Sequence, residues 1–171
     1  MKVEVVRSRR RRKTIQARTV GDVLRISVPA TLSASEEQRW VNEMLRRAER
    51  RQRASEVNLD ARARRLAEKY ALVRPASIRW VDNQESRWGS CTPGDGTVRV
   101  SSKLAREPLW VLDYVIVHEL AHLRVRGHNK AFWDLVNRYP RAERARGFLI
   151  ARGMDEPGGP ETTGADESGS P

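Results

Sequence analysis

The stretch "EPLWVLDYVIVHELAHLRVRG", residues 107–127, constrains the fold more than any other part of the chain. Pro108 at a first helical position and Gly127 as a stop predict one helix of about five turns. It is apolar nearly all round, and such a helix belongs in the centre of a domain. At about 100° per residue, however, Tyr114, His118, His122 and Glu119 share one sector of roughly 140°, together with Val111, Val115 and Arg126. A buried helix therefore carries a polar stripe, and an isolated carboxylate or imidazole there is costly unless something satisfies it.

The histidine distribution indicates what does. The chain has three histidines, and all of them, His118, His122 and His128, lie within eleven positions. Side chains at i and i+4 stand about 6 Å apart along the axis and are turned by about 40°. Two imidazoles so placed can meet one zinc ion at about 2.0 to 2.1 Å. His128, just past Gly127, can swing back as a third ligand and leave the fourth position to water, the arrangement of a catalytic rather than a structural site. Glu119, beside the ligands, can take a proton from that water. The pattern is H-E-x-x-H with a third histidine six residues on. Stray surface histidines, or a core histidine paired with a backbone carbonyl, would account for one of these features but not for their coincidence. Cys91 is a further soft ligand in principle, although a small buried residue in a strand is the expected role. If His128 is not the third ligand, Asp134 is the next candidate.

At 171 residues and 19.6 kDa the chain suits one domain, expected over residues 1–153. Within it, a β-hairpin and helices fill 1–75 and a catalytic part fills 76–153. One cysteine excludes an intrachain disulfide, and no apolar run has membrane-spanning length, so the expectation is a soluble, cytoplasmic protein. After Gly153 the chain has five acids, no base and many Gly, Pro, Ser and Thr residues, so 154–171 is expected to be a disordered tail. Those five acids leave 17 acids against 33 bases in residues 1–153, a net charge of +16. That magnitude suits a nucleic-acid or nucleotide partner. Yet 28 of the bases are Arg, and their dispersal also fits ordinary solvated faces.

The remaining elements follow from pattern. "VEVVR" and "TIQARTVGDVLRISVP" read as strands, with Gly21 and Asp22 at a hairpin turn. Ser33 and Glu36 have capping-box spacing ahead of a helix whose buried stripe is Trp40, Val41, Met44, Leu45 and Ala48. A second helix is expected over residues 60–72, with Leu59, Ala63, Leu66, Ala67 and Tyr70 facing the core and Pro75 ending it. "SIRWVDN" reads as a strand, and "RWGSCTPGDGTVRVSS" as a strand, a turn and a strand.

"RRKT" near the start, "RWGSC" at 87–91, "LDYVIVHELAHL" at 112–123 and "GHNKAFW" at 127–133 together resemble the YgjP-like metallopeptidase family over about residues 7–150. That family looks distantly akin to the SprT-like and WLM zinc proteases, some of which act on proteins attached to DNA. The resemblance implies an α+β, zincin-like fold: a small, mostly antiparallel sheet packed on a central H-E-x-x-H helix, with flanking helices. It implies one zinc ion on His118, His122 and His128, Glu119 as the base, and a peptide or protein substrate. It also makes "RRKT" part of the domain rather than a separate arm. By analogy with zincins, "TVRVSS" is the expected edge strand for pairing with an extended peptide. Arg87 and Tyr114 are candidates for contacting the substrate or stabilising its oxyanion, although an ion pair holding the turn and a core hydrogen bond are simpler roles. Trp88 and Trp133 are expected to pack. Two other activities stay open: hydrolysis of a nucleotide phosphoanhydride bond, for which the same water would serve, and proteolysis at DNA.

Overall fold

A computed structural model describes residues 2–84 and 87–153, in two compact units that divide between Glu56 and Val57. The acidic tail, expected to be disordered, lies outside the described residues. The first unit has strands β1 (Lys2–Ser8), β2 (Gln16–Val20) and β3 (Val23–Pro29), and helix α1 (Ala34–Ser55). Gly21, at φ +60°, makes the β2–β3 turn that its lack of a Cβ allows. The order is β1-β3-β2, with β1 parallel and β2 antiparallel to β3. Leu24, Ile26 and Val28 alternate onto one face of β3 and pack against Val41, Met44, Leu45 and Ala48 of α1. Trp40, expected in that stripe, lies outside this cluster, under the Arg39 guanidinium at 5.9 Å. The capping box forms as expected: the Glu36 N–H reaches Ser33 Oγ at 3.3 Å, and the Ser33 N–H reaches Glu36 Oε2 at 3.0 Å.

In the second unit, α2 (Leu59–Lys69) is capped by Asn58 and ends earlier than predicted. Ala71 turns left-handed at φ +51° and the Leu72 N–H bonds back to Ala67 O at 2.8 Å, closing the helix before Pro75 is reached. Strands β4 (Ser77–Val81), β5 (Gly89–Thr92) and β6 (Thr97–Ser101) are ordered β4-β6-β5. β6 is parallel to β4 and antiparallel to β5, so both sheets among the described residues are mixed rather than mostly antiparallel as expected. Each central strand takes its hairpin partner on one side and the strand before that hairpin on the other. The "TVRVSS" strand is thus central, with both sides occupied, and cannot be the edge that accepts a peptide. Sequence patterning reports which face of a strand is buried, not which strand lies beside it, and Val98 and Val100 are buried as an inner strand requires.

A 3-10 turn (Ser102–Arg106) leads into α3 (Leu109–His122), followed by α4 (Lys130–Val136) and α5 (Ala142–Ala151). Eleven of the 14 residues of α3 are buried. Val111, Val115, Ile116 and Val117 are weak helix formers, so this helix is held by packing: each such side chain, once buried, contributes about 1.5–3 kcal/mol. Arg62 on α2 grips Asp113 on α3 with both ends of its guanidinium, one bond being 3.0 Å to Oδ2. Among the described residues no helix is long and apolar enough to cross a membrane. The architecture is α+β, and in the second unit the sheet packs against the central helix.

Candidate metal centre

α3 stops at His122 rather than at Gly127, which is not in a left-handed conformation. The N–H groups of Leu123, Arg124 and Val125 close onto the carbonyls of Leu120 and Ala121 at 2.9–3.2 Å, and this tight turn reverses the chain early. The reversal is what returns His128 to the helix end. The Nε2 atoms of His118 and His122 are 3.2 Å apart, those of His122 and His128 3.0 Å, and those of His128 and His118 3.3 Å. A tetrahedral centre with nitrogen ligands at about 2.0–2.1 Å sets them about 3.3–3.4 Å apart, so three ring nitrogens stand where one cation could be shared. The His122 Nδ1–H donates to Val125 O at 3.0 Å, which turns the Nε2 lone pair inward. Burial also holds His122 below the usual imidazole range, in the neutral form that binds metals.

The rings are fixed by α4. Phe132 is fully buried, with its centroid 4.8, 4.3 and 4.7 Å from the rings of His118, His122 and His128. Trp133 stacks on His128 at 5.8 Å and donates its indole N–H to the His128 carbonyl at 3.1 Å, with the Arg146 guanidinium 5.1 Å from its ring. The Asn129 side chain caps the helix through the Phe132 N–H at 3.1 Å. The "GHNKAFW" stretch thus carries a candidate ligand, a cap and two ring supports. Sequence reading gave Trp133 a packing role and overlooked Phe132, whose spacing from His128 was the available signal.

Glu119 is 1% exposed, and its Oε1 meets no hydrogen-bond donor among the described residues. Burial pushes its carboxyl up to about 8, while the Arg87 guanidinium draws it down. Gly89 in β5 lies against it: a Cβ there would stand 2.5 Å from Glu119 Oε1. A glycine inside a strand signals close approach, and this one was legible in "RWGSC" but went unread. Arg87 is half-buried and acts on Glu119 through its charge. Tyr114 is 1% exposed, its ring 5.9 Å from that of His118. Cys91 lies half-buried in β5, outside the three-histidine group, and Asp134 is exposed and paired with Lys130 at 2.8 Å. Trp88 is buried in the core.

β5 is an outer strand of its sheet. The Ser101 N–H bonds to Trp88 O at 2.9 Å, so alternation along the antiparallel ladder turns the peptide groups of Ser90 and Thr92 toward β6 and those of Gly89 and Cys91 outward.

A comparison with curated proteins finds no match. Among solved structures, the metallopeptidase zymogen of Pyrococcus abyssi abylysin aligns with a TM-score of 0.50 and 18% identity, over 56% of this chain and 94% of that one. At that identity the likeness is one of fold. A family model described as YgjP-like, metallopeptidase domain, matches residues 5–149. The chain therefore belongs to the YgjP-like metallopeptidase domain family.

Proposed function

We propose that this protein is a zinc-dependent peptidase in which His118, His122 and His128 hold the metal and Glu119 is the general base. The observation that carries this reading is the convergence of three Nε2 atoms at 3.0–3.3 Å beside a buried carboxylate whose Oε1 meets no donor among the described residues. An all-imidazole set suits zinc, and three protein ligands leave room for substrate and water. When bound, the ion supplies Lewis-acid chemistry: it acidifies water and polarises a carbonyl.

The chain's own groups do the rest. Glu119 accepts the proton of the attacking water at a carboxylate oxygen and delivers it to the leaving amine nitrogen, the two halves of general acid–base catalysis. Its burial raises its affinity for a proton and so makes the first transfer, from water to carboxylate, more favourable. Arg87 places positive charge near Glu119 and is the first candidate for stabilising an oxyanion. Tyr114 supports His118 from within the core. An extended peptide lies along β5, pairing with the outward peptide groups of Gly89 and Cys91, and so crosses directly over Glu119.

The test is hydrolysis by zinc-loaded protein of casein and of nucleoside triphosphates, side by side. Cleavage of casein that is lost with Glu119→Gln supports the reading. Release of phosphate or pyrophosphate with casein intact replaces the substrate class, and no hydrolysis of either by a metal-replete protein removes the assignment.

A further inference from the structure

Residues 9–13, which link β1 to β2 in the first unit, are Arg9, Arg10, Arg11, Arg12 and Lys13. Five adjacent cations repel one another, and a fold that needed them only for solubility would disperse them or give them acids. Elsewhere in this unit the structure does so. Arg7 meets Glu37 at 2.7 Å, Arg25 meets Glu4 at 2.9 Å, and Arg47 meets Glu43 at 2.8 Å. In the run, among the described residues, Arg11 alone has side-chain acceptors, Thr14 Oγ1 at 3.2 Å and Gln16 Oε1 at 2.6 Å, and both are neutral. Arg9, Arg10, Arg12 and Lys13 meet no carboxylate among the described residues. Arg9, Arg11 and Arg12 also line a cavity of about 470 Å³ with Ser8, Ala30 and Thr31.

We propose that this turn is a binding surface for the phosphate backbone of a nucleic acid, without readout of bases. Guanidinium forks match phosphate oxygens two at a time, and the hydroxyls of Ser8 and Thr31 add donors on the same cavity wall. Arg11, pinned by its two bonds, is set in place in advance, while its neighbours can follow a strand. Five residues span at most about 17 Å, over which a duplex presents about ten phosphates, enough for every cation in the run. A lipid surface suits the site less well, because Ala30 is the one apolar side chain lining the cavity and has nothing to insert.

The test uses the full chain and fluorescence anisotropy with a labelled duplex of about 20 base pairs between about 50 and 200 mM salt. Binding should weaken with salt, and the triple variant R9A/R10A/R12A should reduce the slope of log K against log salt by about 2–3, about 0.9 for each phosphate that is no longer neutralised. The matched control is R18A/R53A/R64A, three exposed arginines outside the turn, which should leave most of the slope in place. Equal losses in the two triples would mean that net charge, not this turn, attracts the duplex, and the proposal would fall. It would fall equally if polyglutamate or anionic vesicles compete as well as nucleic acid at equal charge, or if the wild type shows no binding at low salt. Circular dichroism melts of both triples check that folding is unchanged.

Discussion

A methyl group built on Gly89 stands 2.5 Å from Glu119 Oε1, 2.8 Å from its Cγ and 2.9 Å from its Cδ. The backbone of β5 and the carboxylate of α3 are thus in direct contact, and the strand fixes where the acid can point. In Gly89→Ala the carboxylate must move or the strand must shift. Hydrolysis should fall at least tenfold, with zinc content unchanged and stability lowered by about 1–3 kcal/mol, the usual range for overpacking. Activity assays, metal analysis and a denaturant melt on one preparation check this, and wild-type activity would show that β5 does not position Glu119.

Glu119→Gln and His128→Ala should separate chemistry from binding. The amide keeps the size of the side chain but cannot accept the proton, so zinc is retained while the rate falls by about 10²- to 10⁴-fold. The neutral side chain also removes a buried ionisable group whose Oε1 has no donor among the described residues, so the metal-free protein should melt no lower than wild type. His128→Ala should lose affinity for zinc and activity together, with partial recovery in excess metal. Full zinc affinity in that variant would move the third ligand elsewhere.

Trp133→Phe keeps a ring against His128 and removes the N–H that holds its carbonyl at 3.1 Å. Loss of such a support typically costs about 10- to 100-fold in metal affinity. Chelator competition should therefore show weaker zinc binding in a variant whose unfolding midpoint, measured without metal, is nearly unchanged. A change in stability alone would make Trp133 a packing residue and nothing more.

On the other side of α3, Arg62 and Asp113 are both largely covered, with side chains 17% and 14% exposed. Arg62→Ala strands the carboxylate and should cost about 3 kcal/mol. Pairing that change with Asp113→Leu should recover much of the loss, because no charge is then left without a partner. Denaturant midpoints of the two variants decide this, and equal midpoints would show that the pair adds nothing beyond packing.

The elements that the sequence announced were those made by neighbours along the chain. Ser33 and Glu36 are three apart and touch, Gly21 needs no partner to turn, and the spacing of His118 from His122 already sets one beside the other on a helix. The misread elements depended on distant parts. β6 is central because β4 and β5 flank it, which no pattern within "TVRVSS" records. α3 stops at His122 although nothing there breaks a helix: the tight turn and the His122–Val125 bond bring the chain back, and Gly127 is not needed for it. Gly89 passed as one more strand residue until Glu119 was placed against it. Phe132 drew no reading from the sequence; it is core, and only the three rings around it reveal its second role.

All three imidazoles come from eleven consecutive residues, and this bears on the life of the chain before it folds. Closing so short a loop costs little entropy, since the cost grows only with the logarithm of loop length. If zinc is the metal held here, as proposed, a chain emerging from synthesis would be able to chelate it before any sheet exists, and the ion would then organise the helix end early. The same affinity in the unfolded chain limits what the metal can add to folding stability. Full selectivity for the folded state would give about 2.7 kcal/mol at a hundredfold excess over Kd, and the measured rise in stability should fall short of that by whatever the open chain retains.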